Sequence, residues 1–300
     1  PTSCACTPST MTLAMPAGSA VQATKAESSD FEFKTGGKIF MMDYGGNFAT
    51  GDKFITLSGL EAFWFILMDT VGAVQDDHLP LRKKAIQHIK LHALGDGEMQ
   101  PVYICLDNAQ SSNLKPLNGT GAQIITEVQA QSSRLDEIHG LDTLEWFVLD
   151  NRFDLRAVLA HGQRILSGCL ALEVRVSFDD THENQMSFEE IKRALNGFGL
   201  AFHAFTHTEQ GEPLTSAQYG ELASSKAVAA TALFIPAAQR LPELDDQQRE
   251  RLAFIMHAAY GLKDVAYSVF KAGSVERADD YLGSIQGQAS TTSAEPANKA

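Results

Sequence analysis

Trp146-Phe147-Val148-Leu149-Asp150 opens the stretch that decides the fold. Four apolar residues in a row, ending on a carboxylate, read as a strand buried on both faces of a parallel sheet, with Asp150 at its rim. Leu155, Val158, Leu159, Ile165 and Leu166 follow at helical intervals and would cover such a sheet. Leu170 to Val176 reads as the next strand. Phe188, Ile191, Leu195 and Phe198 stripe another helix, and Leu200 to Phe205 is a further strand. From Ala130 to Phe205 strands and helices alternate. That pattern predicts an α/β fold with a doubly wound, mostly parallel sheet, its ligands lying beyond the strand C-termini.

Upstream, a strand over Lys38 to Met42 runs straight into Asp43-Tyr44-Gly45-Gly46-Asn47-Phe48-Ala49. Glycines directly after a strand permit a tight turn and let a ligand approach main-chain N–H groups, although an ordinary loop reads the same way. Ala62 to Met68 is continuously apolar and stops at Asp69. In nucleotide-binding α/β folds an acidic residue about 20 positions beyond the glycine turn commonly grips ribose hydroxyls. Asp69 stands slightly farther than that from Asp43, and a helix cap or turn is the other role open to it. Ile86 to Leu94 predicts a third strand, turned by Gly95-Asp96-Gly97. Pro101 to Leu106 and Ile124 to Gln131 predict two more, on either side of a Ser/Asn/Gly/Pro loop from Asn108 to Gly121.

A chain of 300 residues can bury a sizeable core. Its net charge of -13 argues against nucleic acid and anionic membrane surfaces as partners, which ask for a basic stripe. Arg82, Lys83 and Lys84 read as a solvated helix face. No apolar run approaches the roughly 20 residues that span a bilayer. Four cysteines make no disulfide framework, so a reduced, cytoplasmic protein is expected. Cys4-Ala5-Cys6 lacks a second ligand pair, and His203 with His207 on one strand face does not define a metal site. These residues assign no metal ligand.

Several segments, in order, resemble the FkbM-type methyltransferase family, over about Lys38 to Phe205. The family's Asp-x-Gly-Ala-Asn-x-Gly turn is matched by Asp43 to Ala49, and its acidic residue after the second strand by Asp69. Ala93-Leu94-Gly95-Asp96, Ser111-Ser112-Asn113-Leu114 and Arg134-Leu135-Asp136-Glu137-Ile138 match three later motifs. Glu173-Val174 and Phe188-Glu189-Glu190-Ile191 match the last two. The resemblance implies a Rossmann-like methyltransferase sheet and S-adenosylmethionine as cofactor, with transfer to a hydroxyl of a sugar or similar small acceptor. Carried over by position, Asp43, Gly45, Gly46 and Asn47 would lie near the amino-acid end of the cofactor, Asp69 at the ribose and Asp96 near adenine. Asp150 would be the base that takes the acceptor's proton or a ligand to a metal that does so, a cap on the following helix being its other role.

One motif is rewritten. Where the family carries Asp-x-Gln/Glu-Gly-x-Glu, this chain has Asp150-Asn151-Arg152-Phe153-Asp154-Leu155. Phe153 replaces a glycine, so a turn needing positive φ must be strained or remodelled. Arg152 brings a cation, Leu155 removes a second carboxylate, and Ala49 replaces the last glycine of the first turn.

Beyond Glu209 to Pro213, Ala227 to Ile235 fits an extra strand or a buried helix end. Asp245 with Gln248 can cap a helix striped by Leu252, Ile255, Met256 and Ala259 and ended by Gly261. Val265, Ala266, Val269 and Phe270 mark a second helix, and Arg277 to Ile285 a short third. The expected organisation is a disordered leader over 1–30, a methyltransferase-like domain over 31–210, a helical extension over 211–286 and a disordered tail over 287–300. The helices also offer a surface for a protein partner or a second copy. Two functions lead: an S-adenosylmethionine-dependent O-methyltransferase with a small-molecule or glycan acceptor, or a catalytically impaired relative serving as a scaffold or interaction module; a different adenosine compound in the same loop is a third.

Overall fold

The computed structural model describes residues 11–13, 24–25, 31–46, 48–74, 79, 85–216 and 220–292. The readings of Cys4 and Cys6, most of the leader, Asn47, the basic triplet Arg82 to Lys84 and the last eight residues lie outside them.

Seven strands form the central sheet: β1 (Ile39–Tyr44), β2 (Phe63–Asp69), β3 (Ile86–Lys90), β7 (Trp146–Asp150), β8 (Ala171–Ser177), β9 (Leu200–Gln210) and β10 (Ala227–Pro236). Three more, β4 (His92–Leu94), β5 (Met99–Cys105) and β6 (Ile124–Ser133), make a separate small sheet. The central order is β9-β10-β8-β7-β1-β2-β3. Only β10 runs against its neighbours; the pairs β8–β7, β7–β1, β1–β2 and β2–β3 are parallel. One reversed strand inside an otherwise parallel, doubly wound sheet makes this a methyltransferase-type Rossmann-like fold. The segment Ala227 to Ile235, open between strand and helix end from sequence, is that reversed strand.

Every residue of β7 is buried, as its unbroken apolar run requires. One face of the sheet, carrying Met41, Phe63, Phe65, Trp146 and Val148, packs against α1 (Asp52–Ser58) and against α5 (Asp246–Tyr260), α6 (Lys263–Lys271) and α7 (Val275–Thr292). The other face, with Met42, Ile66, Phe147 and Leu149, packs against α2 (Leu155–Ala160), α3 (Gln163–Gly168) and α4 (Phe188–Asn196). Local chemistry sets the helix ends. Ser187 and Glu190 close a capping box on α4, Asp245 and Gln248 close one on α5, and Gly261 ends α5 in the left-handed region at φ 67°. No helix among the described residues is long and apolar enough to cross a membrane.

The expected third strand, Ile86 to Leu94, is two strands in two sheets. Leu91 breaks it at φ 53°, its N–H donating to the Asp69 carbonyl at 2.9 Å. The chain leaves the central sheet there and enters the small one, where β6 pairs parallel with β4 and antiparallel with β5. The alternating pattern of Ile86 to Leu94 carries no mark of this break.

Candidate functional site

The winding direction reverses between β1 and β7, so the crevice beyond their C-termini is where such a sheet holds a ligand. Four of the expected site residues, Asp43, Gly45, Gly46 and Asp150, sit at or just beyond these two strand ends, and Asp69 closes β2 beside them.

The glycine turn needs its glycines. Gly45 has φ 111° and Gly46 φ 79°, a region costly for side-chain-bearing residues. What comes close to the bare backbone is the chain itself. A Cβ placed on Gly45 would lie 2.7 Å from Phe153 Cε2, and one on Gly46 would lie 2.8 Å from Val74 Cγ2. Phe153 is only 1% exposed and tilts against Tyr44 with ring centroids 5.1 Å apart.

Asp43 is fully buried. Its Oδ2 accepts the Ala49 N–H at 3.0 Å, while Oδ1 is buried with no hydrogen-bond partner among the described residues. Burial pushes this carboxyl up to about 7, against the opposing pull of the Ala49 and Phe48 amides, and Glu173 and Asp69 add to the rise. Asp43 and Glu173 both pair with Val148 in register, so they share one row across three strands.

Asp69 is buried and spoken for. Its Oδ1 accepts the Ala73 N–H at 2.7 Å, its Oδ2 accepts the Val74 N–H at 3.0 Å, and His88 Nε2 lies 3.1 Å from Oδ2. That is the turn-capping role left open by the sequence. Asp96 is exposed, and its Oδ1 accepts the Glu98 N–H at 3.0 Å. That amide is the main cause holding its carboxyl below the usual range. Asn47 lies outside the described residues.

Asp150 is 1% exposed. Burial alone would raise its carboxyl, but Arg152 and then Arg175 overcome this and hold it below the ordinary value. Arg152 grips it with Nε at 3.1 and 3.0 Å from the two oxygens and Nη2 at 2.6 Å, and Arg175 Nη1 stands 3.9 Å away. A general base works best with a pKa near the operating pH; this carboxylate is a paired anion.

The rewritten turn is remodelled, not strained. The only non-glycine residues with positive φ among those described are Leu91 and Asn184, so Phe153 does not inherit a glycine conformation. Asn151 accepts the Ser177 N–H and donates to the Met186 carbonyl, both at 3.0 Å. Asp154 caps α2 through the Ala157 N–H. The Ser111 to Leu114 loop supports the turn from above: Ser112 Oγ donates to the Arg152 carbonyl, and Asn113 Oδ1 accepts the Asp154 N–H.

Sequence reasoning missed a second polar cluster on the α1 face. Tyr260 donates to Glu173 Oε2 at 2.5 Å, and Lys53 Nζ lies 3.5 Å from the same oxygen and 3.7 Å from the centre of the Tyr260 ring. Burial lowers the Lys53 amine and Glu173 works against that. The signal was Glu173 itself, a carboxylate inside an apolar strand. Its partners come from 120 residues upstream and 87 downstream, beyond the reach of any local pattern. Among the described residues no three His, Cys, Asp or Glu side chains converge as metal ligands would.

No protein-family profile matches the sequence, and no curated protein matches it. Among solved structures, the magnesium protoporphyrin IX methyltransferase of Synechocystis PCC 6803, with bound SAH, aligns over 67% of this chain and 75% of its own. Identity is 9% and the TM-score 0.33. The fold assignment rests instead on strand order and direction.

Proposed function

We propose that this chain is a catalytically silent methyltransferase-fold protein of FkbM-like ancestry, its cofactor crevice occupied by its own side chains, and that it serves as a scaffold or interaction module. The observation that carries this reading is Phe153 lying against Gly45, within 2.7 Å of where a Cβ would stand. On this reading the ring takes the place that the amino-acid end of S-adenosylmethionine would need. Asp69, whose oxygens serve the Ala73 and Val74 amides, and Asp150, held by Arg152, support the same conclusion. A protein partner or a second copy at the C-terminal helices belongs to this reading.

A second reading keeps the chain as an S-adenosylmethionine-dependent O-methyltransferase with a small-molecule or glycan acceptor. In its favour stand the retained glycine turn and the unpartnered Oδ1 of Asp43. It requires Phe153 to swing out.

Calorimetric titration with S-adenosylmethionine and S-adenosylhomocysteine separates the two. The silent reading expects no saturable heat and no thermal shift at about 1 mM ligand. Micromolar binding by the unmodified chain would overturn it. Phe153→Gly removes the ring and is expected to bring S-adenosylhomocysteine binding into the measurable range.

A further inference from the structure

We propose that the cavity beside the Asp150–Arg152 pair is a binding site for a small oxyanion, the phosphate or carboxylate group of a compact metabolite. The cavity measures ≈ 160 Å³ and is lined by Arg152, Arg175, Ser177, Thr120, Gln110 and His182, among others. Ala122 is the single apolar residue of its eight lining residues. With no Phe, Tyr or Trp face for a sugar ring to stack on, and little volume, a compact polar group is the occupant that fits.

Two guanidiniums in the lining define its chemistry. Arg152 commits Nε and Nη2 to Asp150, and its Nη1 makes no hydrogen bond among the described residues. Arg175 commits Nε and Nη2 to Glu209 at 2.6 Å each, with Nη1 3.3 Å from Ser177 Oγ. Each carboxylate fixes its guanidinium in place and leaves some of that guanidinium's N–H groups over. Planar, pre-positioned Arg donors are the usual recognition element for carboxylate and phosphate oxygens.

The walls are held as well. Leu117 N–H donates to the Thr181 carbonyl at 2.9 Å, and Glu183 N–H to the Lys115 carbonyl at 2.8 Å, joining the loops that carry Thr120 and His182. His182 is 4% exposed, with Nδ1 2.9 Å from Thr181 Oγ1. A built cavity, two oriented cations and hydroxyl neighbours stand together in a chain whose net charge is -13. The proposal is independent of whether the cofactor crevice is open.

The test is a titration of the full chain, followed by calorimetry and by amide NMR shifts, with inorganic phosphate, with succinate and with glucose. Saturable binding of phosphate or succinate at a Kd on the order of 1 mM or tighter is expected, with none of glucose. Phosphate alone or succinate alone would each support the site and name the source of the oxyanion. Arg152→Gln is expected to weaken binding about tenfold or more. That change also removes the nearer of the two guanidiniums beside Asp150 and can unfold the chain. Ser177→Ala, which leaves that pair intact, is therefore the second variant, with about threefold weaker binding expected at unchanged Tm. No saturation by either anion at about 50 mM, equal binding of glucose, or affinity indifferent to Ser177→Ala would overturn the proposal.

Discussion

Asp43, next to last in β1, lies inside the protein with one oxygen satisfied and the other without a partner among the described residues. Its carboxyl, raised to about 7 from an ordinary 3.8, makes a definite statement about stability. Between these values the folded state holds a proton that the unfolded state has released. Stability therefore falls as pH rises through that window, by about 1.4 kcal/mol per pH unit at most from this group. Asp43→Asn removes the titration while keeping an oxygen for the Ala49 N–H. Urea unfolding at about pH 5 and about pH 8 should show wild type losing on the order of 2 kcal/mol relative to the variant on going to the higher pH. Parallel pH profiles for the two proteins would mean that Asp43 is ionised throughout. The positions of Asp43, Asp69 and Asp150 at strand ends were legible, because an apolar run ending on a carboxylate is a local pattern. What those carboxylates do was not. Phe153 meets Gly45 across 108 residues, and Arg152 reverses the meaning of Asp150 through a side-chain rotamer that no spacing encodes.

Elements were readable wherever their ends carry their own chemistry. The α5 box of Asp245 and Gln248, with Gly261 past the last turn, was visible from residue types alone, and the structure places all three as expected. Asp245 Oδ1 accepts the Gln248 N–H at 2.7 Å and Gln248 Oε1 accepts the Asp245 N–H at 3.0 Å. Asp245→Ala leaves the Gln248 N–H to water and should cost about 1 kcal/mol in denaturant unfolding. A cost below a few tenths would show that burial alone holds the start of α5. The Ile86 to Leu94 strand failed for the complementary reason. Its break is at Leu91, 56% exposed and in a left-handed conformation. That conformation is imposed by its bond to Asp69 and by the separate pairing of β4, so tertiary context overrides what a leucine would choose.

At the scale of the molecule, the question is whether 31–210 is a unit to which 211–286 is appended, the division the composition suggests. Contacts argue for a shared core. β10 lies between β8 and β9 in the sheet, so removing it would strand β9 from the rest. On the α1 face, the Phe254 ring of α5 sits 5.1 Å from Phe33 and 5.6 Å from Phe63. Tyr260 packs 5.6 Å from Trp146 and also donates to Glu173, while Tyr281 of α7 lies 5.2 Å from Phe31. Large aromatic side chains bury on the order of 150–250 Å² each, at about 25 cal/mol per Å². Stripping three helices from one sheet face therefore exposes far more than the 5–15 kcal/mol by which domains of this kind are usually stable. A fragment spanning 31–210 is expected to show no cooperative thermal transition and to bind hydrophobic dye, while the full chain melts in one transition. An independently folded fragment with a sharp melt would restore the appended-domain view. It would also free the α1 face, with Lys53 and Glu173, to be a surface instead of a core.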